Sequence, residues 1–132
     1  MTPAVAQSMH QWHAMIERKD MSGIAAISRD DVVFRSPAVF KPYVSVMALG
    51  LILNTVVQVF ENFTYHRQFV SDDGLNVVLE FSATIGDREL KGIDMIRFDE
   101  SGKIAEFEVM VRPLSGLQAL AAEMGRRMTQ AG

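Results

Sequence analysis

The stretch LKGIDMIRFDESGKIAEFEVMVRP, residues 90–113, decides how this chain is read. Two runs of alternating side chains flank the acidic turn Asp99-Glu100-Ser101-Gly102, the pattern of paired strands. In the first run Leu90, Gly92, Asp94, Ile96 and Phe98 share one face, while Lys91, Ile93, Met95 and Arg97 share the other. In the second, Ala105, Phe107, Val109 and Val111 oppose Ile104, Glu106, Glu108, Met110 and Arg112, and Pro113 ends the strand. The carboxyl of Asp94 therefore sits with leucine, isoleucine and phenylalanine. Such a placement is costly unless the acid is hydrogen-bonded or neutral, which makes Asp94 the first residue to explain.

Outward from this stretch, Ser71-Asp72-Asp73-Gly74 and Gly86-Asp87 mark two further turns, so four runs rich in Val, Ile, Phe and Thr form an antiparallel meander. Upstream, Val5, Met9, Trp12 and Ile16 recur at helical spacing and predict a helix over about 3–19. Asp20 or Ser22 caps a second, short helix through Ile24 and Ile27, which the Arg29-Asp30-Asp31 cluster ends. VVFRSP reads as a brief strand with Val32, Phe34 and Ser36 on one face. No charged residue lies between Lys41 and Glu61, but Pro42, Ser45, Gly50, Asn54, Thr55 and Gln58 interrupt the run. A helix over about 44–57, buried on most sides, fits better than a membrane span. Leu117, Leu120, Ala121 and Met124 mark a short closing helix.

Helices followed by a meander give an α+β fold, a single domain over 1–132. A strongly curved antiparallel sheet packs on three N-terminal helices, with a short C-terminal helix. The inner face carries Leu90, Asp94, Ile96, Phe98, Phe107, Val109 and Val111. The outer face interleaves Ile93, Met95, Ile104 and Met110 with charges, which predicts a homodimer packed through that face. The 132 residues include no cysteine, which rules out disulfides, thiolate metal sites and a cysteine nucleophile. The net charge of −3 and the lack of a basic stripe beyond Arg126 and Arg127 speak against nucleic acid. The first twenty residues lack a basic start followed by an apolar block, so a cytoplasmic location is expected.

The segment GIDMIRFDESGKIAEFEV, residues 92–109, with its interior acid, tight acidic turn and exit strand, resembles the ketosteroid-isomerase branch of the nuclear transport factor two superfamily, which includes SnoaL-like polyketide cyclases. The two-helix start, the strand ending in Ser-Pro and the buried third helix follow the same plan, so the resemblance spans nearly the whole chain. It implies a cone: a bent sheet wrapped around a helix, enclosing an apolar pocket. It also implies that Asp94 corresponds to an acid held protonated to donate to a developing oxyanion. The family's oxyanion-hole tyrosine then falls at Trp12, and its proton-shuttling aspartate at Ser36. An indole N–H can still donate, but a neutral hydroxyl is a poor base at pH 7, so steroid isomerisation by the family's usual mechanism is not expected. The second acid of the limonene epoxide hydrolase relatives falls at Val109.

The resulting site has Asp94 as acid or hydrogen-bond donor and His13, one residue round the helix from Trp12, as a candidate base. The ligand would be lined by Trp12, Phe34, Ser36, Tyr43, Met47, Leu51, Ile96, Phe98, Phe107, Val109 and Val111. The competing reading makes Asp94 a buried structural carboxylate satisfied by backbone or indole N–H groups. Tyr43 and Tyr65 can each donate to a ligand, and Tyr43, beside the third helix, is the stronger candidate. Glu80 lies on either face, and the more apolar face of its strand points it outward. His10 and His13 stand at i, i+3, but no further ligand completes a metal site. The chain is read as a binder of a small apolar molecule bearing a carbonyl or hydroxyl. Cofactor-free isomerisation, cyclisation or hydration is the enzymatic option, and a non-catalytic binding or dimerising module is the alternative.

Overall fold

The structure, a computed structural model, describes residues 1–131. Helix α1 (Pro3–Arg18) begins with Pro3 in its first turn, and Thr2 Oγ1 accepts from the Val5 amide at 3.2 Å. It ends where Lys19 enters the left-handed region at φ 55°. Its buried face carries Val5, Met9, Trp12 and Met15, and the four-residue 3-10 turn Ile24–Ile27 follows. Strand β1 (Ser28–Arg35) leads through a loop to the two-residue β2 (Tyr43–Val44) and to α2 (Val46–Val59), which Ser45 caps by accepting from the Ala48 amide. The meander comprises β3 (Glu61–Val70), β4 (Asn76–Ile85), β5 (Arg88–Phe98) and β6 (Ile104–Arg112), and α3 (Leu114–Ala131) closes the chain.

The six strands form one sheet in the order β2-β1-β6-β5-β4-β3, with helices against its inner face. All pairings are antiparallel except that of β1 with β6, which is parallel, so the sheet is mixed rather than wholly antiparallel. The chain returns from β1 through α2 before the meander starts, and that long connection allows two strands in the same direction to become neighbours. Three boundaries differ from the sequence reading. The Arg29-Asp30-Asp31 cluster lies inside β1, where Arg29 pairs with Asp31 at 2.9 Å and Asp99 at 3.4 Å. The C-terminal helix runs for 18 residues and is not short. Ile104 faces inward, 1% exposed, because a register shift between Arg97 and Phe98 pairs Phe98 with Ile104 and breaks the alternation.

Two apolar clusters fill the interior. One joins α1 and α2 to Val77, Ile96, Phe98, Ile104 and Phe107, and the other joins Phe60, Phe81, Leu90 and Leu120 under α3. Gly92 is required by the second: a Cβ there would lie 2.4 Å from the Met110 carbonyl oxygen and 2.6 Å from the Phe81 ring. Gly102, at φ 85°, makes the β5–β6 turn, and its carbonyl accepts from Ser8 Oγ at 2.6 Å, which fixes α1 to the sheet. Among the described residues no helix is long and apolar enough to cross a membrane.

Candidate functional site

The inner face of β5 is packed solid at both ends and hollow in the middle. Phe98 and Ile96 are 1% exposed within the larger cluster, and Leu90 packs beneath α3 with Leu120. Between them Asp94 borders a cavity of about 440 Å³, within the range of small-molecule sites. Trp12, Phe34, Ser36, Tyr43, Leu51, Phe107 and Val109 line it, as the sequence reading places them, together with Val56, Phe63, Tyr65 and Phe81. Val39 in the loop after β1 and Leu51 on α2 belong to the lining and are exposed.

A directed chain of hydrogen bonds ends at Asp94. The Trp12 indole Nε1–H donates to the Tyr65 hydroxyl at 3.0 Å, and that hydroxyl donates to Asp94 Oδ2 at 2.7 Å. Each donor occupies the acceptor of the next, so the three groups polarise one another toward the carboxyl. Oδ1 has no hydrogen bond among the described residues, whereas Ser28 Oγ is the one sealed side-chain polar atom there without a partner. Oδ1 therefore touches free space, and the free space beside Asp94 is the cavity. Burial pushes the Asp94 carboxyl up to about 7, against the opposing pull of the Tyr65 hydrogen bond. Burial and the neighbouring carboxylate hold Tyr65 well above the ordinary phenol range. At neutral pH the acid is poised between donor and acceptor, with a permanently protonated phenol at its back.

Tyr65 is the residue the sequence reading ranks too low. Its ring stands edge-on to Phe63 at 4.8 Å and to His13 at 5.4 Å. Strict alternation along β3 would put Tyr65 and Arg67 on one face. The register slips between Tyr65 and Gln68, so Tyr65 pairs with Phe81 on the inner side while Arg67 turns outward to Glu80. The adjacent aromatics Phe63 and Tyr65 opposite an apolar β4 face are the only sequence signal for it.

Five candidate residues lie elsewhere. His13 does not line the cavity: one step round α1 from Trp12, its ring abuts the far edge of Tyr65, and burial, then His10, lowers its pKa. Met47 projects into solvent, 82% exposed, from the first turn of α2. Ile96 and Phe98 belong to filled core beyond Asp94, and Val111 packs in the cluster under α3. Glu80 lies on the outer face, where Arg67 Nε and Nη2 donate to it at 2.9 and 2.6 Å and Lys91 Nζ approaches at 3.2 Å. Arg67 foremost pulls its pKa down to about 2.

Ser36 Oγ accepts from the Ala38 amide at 3.1 Å. Arg35 pairs with Glu108, so Ser36 continues the register beside Val109, and Val109 pairs with Asp94. Ser36 and Asp94 thus flank the cavity two strand spacings apart, roughly 10 Å. Tyr43 stacks on Phe34 with centroids 6.2 Å apart. The polar side chains of the lining are then Trp12, Lys19, Ser36, Tyr43, Tyr65 and Asp94, a set with one carboxyl and no imidazole. Among the described residues no group of three His, Cys, Asp or Glu side chains could hold a metal ion.

Comparison with known proteins fits this geometry. A SnoaL-like domain model matches residues 9–107. A crystal structure of a steroid delta-isomerase from Pseudomonas aeruginosa is 56% identical, superposes with a TM-score of 0.97, and the match covers 99% of this chain and 96% of that one. An uncharacterised bacterial protein with a cystatin-like fold from Silicibacter pomeroyi DSS-3 is 32% identical, with a TM-score of 0.87 over 99% of this chain and 89% of its own. The epoxide hydrolase/cyclase-like enzyme SalBIII, of pyran ring formation in the polyether salinomycin, shares the fold at 13% identity, with a TM-score of 0.68 over 84% of this chain and 92% of its own. No curated protein matches the sequence. The model match across three quarters of the chain, with a near-complete superposition on a 56% identical structure, establishes that this protein belongs to the SnoaL-like family of the nuclear transport factor two superfamily.

Proposed function

We propose that the cavity binds an apolar molecule carrying a carbonyl or hydroxyl oxygen, and that Asp94 donates a hydrogen bond or a proton to that oxygen in a cofactor-free isomerisation or cyclisation. The observation that carries this reading is the direction of the relay: Trp12 to Tyr65 to Asp94, with the free carboxyl oxygen at its end. With Tyr65 serving Oδ2, the proton of the neutral acid resides on Oδ1 and points at whatever occupies the hollow. Negative charge developing on a ligand oxygen there is stabilised by a donor that is already desolvated and oriented. After that oxygen takes the proton, the Tyr65 hydroxyl holds the carboxylate until Asp94 takes up the proton that the ligand's attacking hydroxyl or acidic carbon gives up, which restores the acid. The apolar lining selects the ligand body, and the span from Asp94 to Ser36 admits a fused-ring or folded-chain skeleton. The names of two family neighbours, a steroid delta-isomerase and an epoxide hydrolase/cyclase-like enzyme, support chemistry at a ligand oxygen or beside a carbonyl.

Apolar epoxides and ketones are the first ligands to test, by calorimetric binding and then by product analysis, with a β,γ-unsaturated ketosteroid as the control for which Ser36 in the family's base position predicts little turnover. Binding by the wild type that Asp94→Asn weakens by about tenfold is the expected result. Failure of apolar ketones, epoxides and their alcohols alike to bind or react would overturn the reading. One observation favours a second reading, a binding module: the lining holds no second carboxyl and no imidazole to act as base. Binding that depends on Asp94 without any turnover would select it.

A further inference from the structure

The cavity lining holds one cation among the described residues, Lys19, and the chemistry proposed for Asp94 makes no use of it. Trp12, Ile16 and Lys19 recur at i, i+4 and i+7 along α1 and its C-cap, and all three line the hollow. Seven residues of helix separate the first from the last by about 10 Å. Trp12 marks the Asp94 end, through Tyr65, so Lys19 is a second polar point two helical turns away. The ammonium has neither an ion pair nor a hydrogen bond among the described residues. Asp20, next in the chain, accepts from the Ser22 amide at 3.0 Å, and Asp94 accepts from Tyr65 at 2.7 Å. The backbone of Lys19, by contrast, is held at both ends: its N–H donates to the Ile16 carbonyl at 3.1 Å, and its carbonyl accepts from Gln58 Nε2 at 2.9 Å. Its φ of 55° lies in the left-handed region, where glycine is the usual occupant and a longer residue adds strain. The side chain is exposed, so core packing gives no reason for lysine here, and Arg18 already supplies the cation that the last turn of α1 favours. What remains for the ammonium is the cavity it lines.

We propose that the ligand of this cavity is an apolar acid, whose carboxylate is held by Lys19 while its carbonyl or hydroxyl oxygen meets Asp94. The proposal rests on the reading of Asp94 given above and adds the class of the ligand. A lone ammonium is a point charge and suits a singly charged carboxylate, whereas phosphate sites draw on an arginine fork or on clustered backbone amides. Among the described residues the lining contains no arginine. Because Lys19 is exposed, the carboxylate keeps part of its hydration there, and only the apolar body of the ligand is withdrawn from water. The α1 and α2 residues Ile16, Ile52 and Val56 give that body an apolar wall. The two anchors also set direction, since Asp94, when ionised, repels a second carboxylate and leaves that group to Lys19.

Calorimetric titration at low salt and about pH 6.5 tests it with two probes of equal length, 10-hydroxydecanoate and 1,10-decanediol, which differ only in whether one end is a carboxylate or an alcohol. The wild type binds the hydroxy acid about five- to tenfold more tightly than the diol, and added salt narrows the difference. Lys19→Met removes that advantage, whereas Lys19→Arg, which keeps the charge, retains it. Circular dichroism checks the fold of each variant, and Lys19→Gly, which suits the left-handed backbone, serves in place of Lys19→Met if the latter unfolds. A lysine that served only α1 would leave the two probes equal. Equal affinity of the wild type for both, or an advantage that survives loss of the ammonium, overturns the proposal. The diol separates this outcome from the reading beneath it: diol binding that Asp94→Asn weakens upholds that reading even where the carboxylate adds nothing, and a wild type that binds neither probe overturns both.

Discussion

Replacing Asp94 by asparagine tests the withdrawal of its carboxyl from water without touching any assumption about substrate. Asparagine keeps the shape, and its side-chain carbonyl still accepts from Tyr65. The fold raises the acid from 3.8 to about 7, so between those values the folded chain holds a proton that the unfolded chain has released. Unfolded protein then binds fewer protons than native, and stability must fall as pH rises. At about 1.4 kcal/mol per pH unit, the loss accumulated by pH 7 and above reaches about 4 kcal/mol. Below the unfolded value both states are protonated, and this contribution is fully present. The wild type and Asp94→Asn are therefore expected to match within about 1 kcal/mol at pH 4. They diverge through pH 5 and 6, until the variant is the more stable by up to about 4 kcal/mol at pH 8. Urea denaturation of both proteins across that range is the assay, and taking their difference cancels every group they share. Parallel curves would refute the argument, since they would mean that position 94 titrates alike in both states.

Three further outcomes follow from the geometry. Tyr65→Phe removes the hydrogen bond that holds Asp94 down and strands the Trp12 indole N–H, so the carboxyl should titrate higher by NMR and stability should drop by about 1–3 kcal/mol; an Asp94 titration that stays put would contradict the relay. Gly92→Ala pushes a methyl against the Phe81 ring and the Met110 carbonyl, and denaturation should show a loss of about 1–3 kcal/mol, with a neutral result incompatible with the packing. Glu80 has a folded pKa of about 2 against an ordinary 4.5, so its contribution is present above about pH 4.5 and fades as pH falls toward 2. Glu80→Gln should thus be less stable than the wild type at pH 7, with the gap shrinking in acid melts, and a gap independent of pH would count against the Arg67 and Lys91 pairing.

Asp94 shows how far the sequence reaches. Its inward direction follows from the period of two in residues 90–98, because no other registration buries Leu90, Ile96 and Phe98 together. The helices and the four-stranded meander are equally a matter of spacing and turn chemistry, whereas the expectation of a pocket lined by Trp12, Phe34, Phe107 and Val109 rests on the family resemblance. Periodicity assigns a side chain to a face but not to a depth along it. Ile96 and Phe98 share the face of Asp94 and yet lie in filled core, since α1 covers that end of the sheet and leaves the middle open. Nor does periodicity survive a bulge. The slip in β3 turns Tyr65 inward and Arg67 outward, and the shift at the β5–β6 turn buries Ile104, so alternation counted from either end misplaces them. The hydrogen bonds from Trp12 through Tyr65 to Asp94 join residues 53 and 29 positions apart. The chain by itself determined the elements, the faces and the presence of an interior acid, because these depend on neighbours a few residues away. Only the tertiary structure decided which groups meet that acid and where the hollow lies, because both depend on helix placement and strand slippage that leave no local trace.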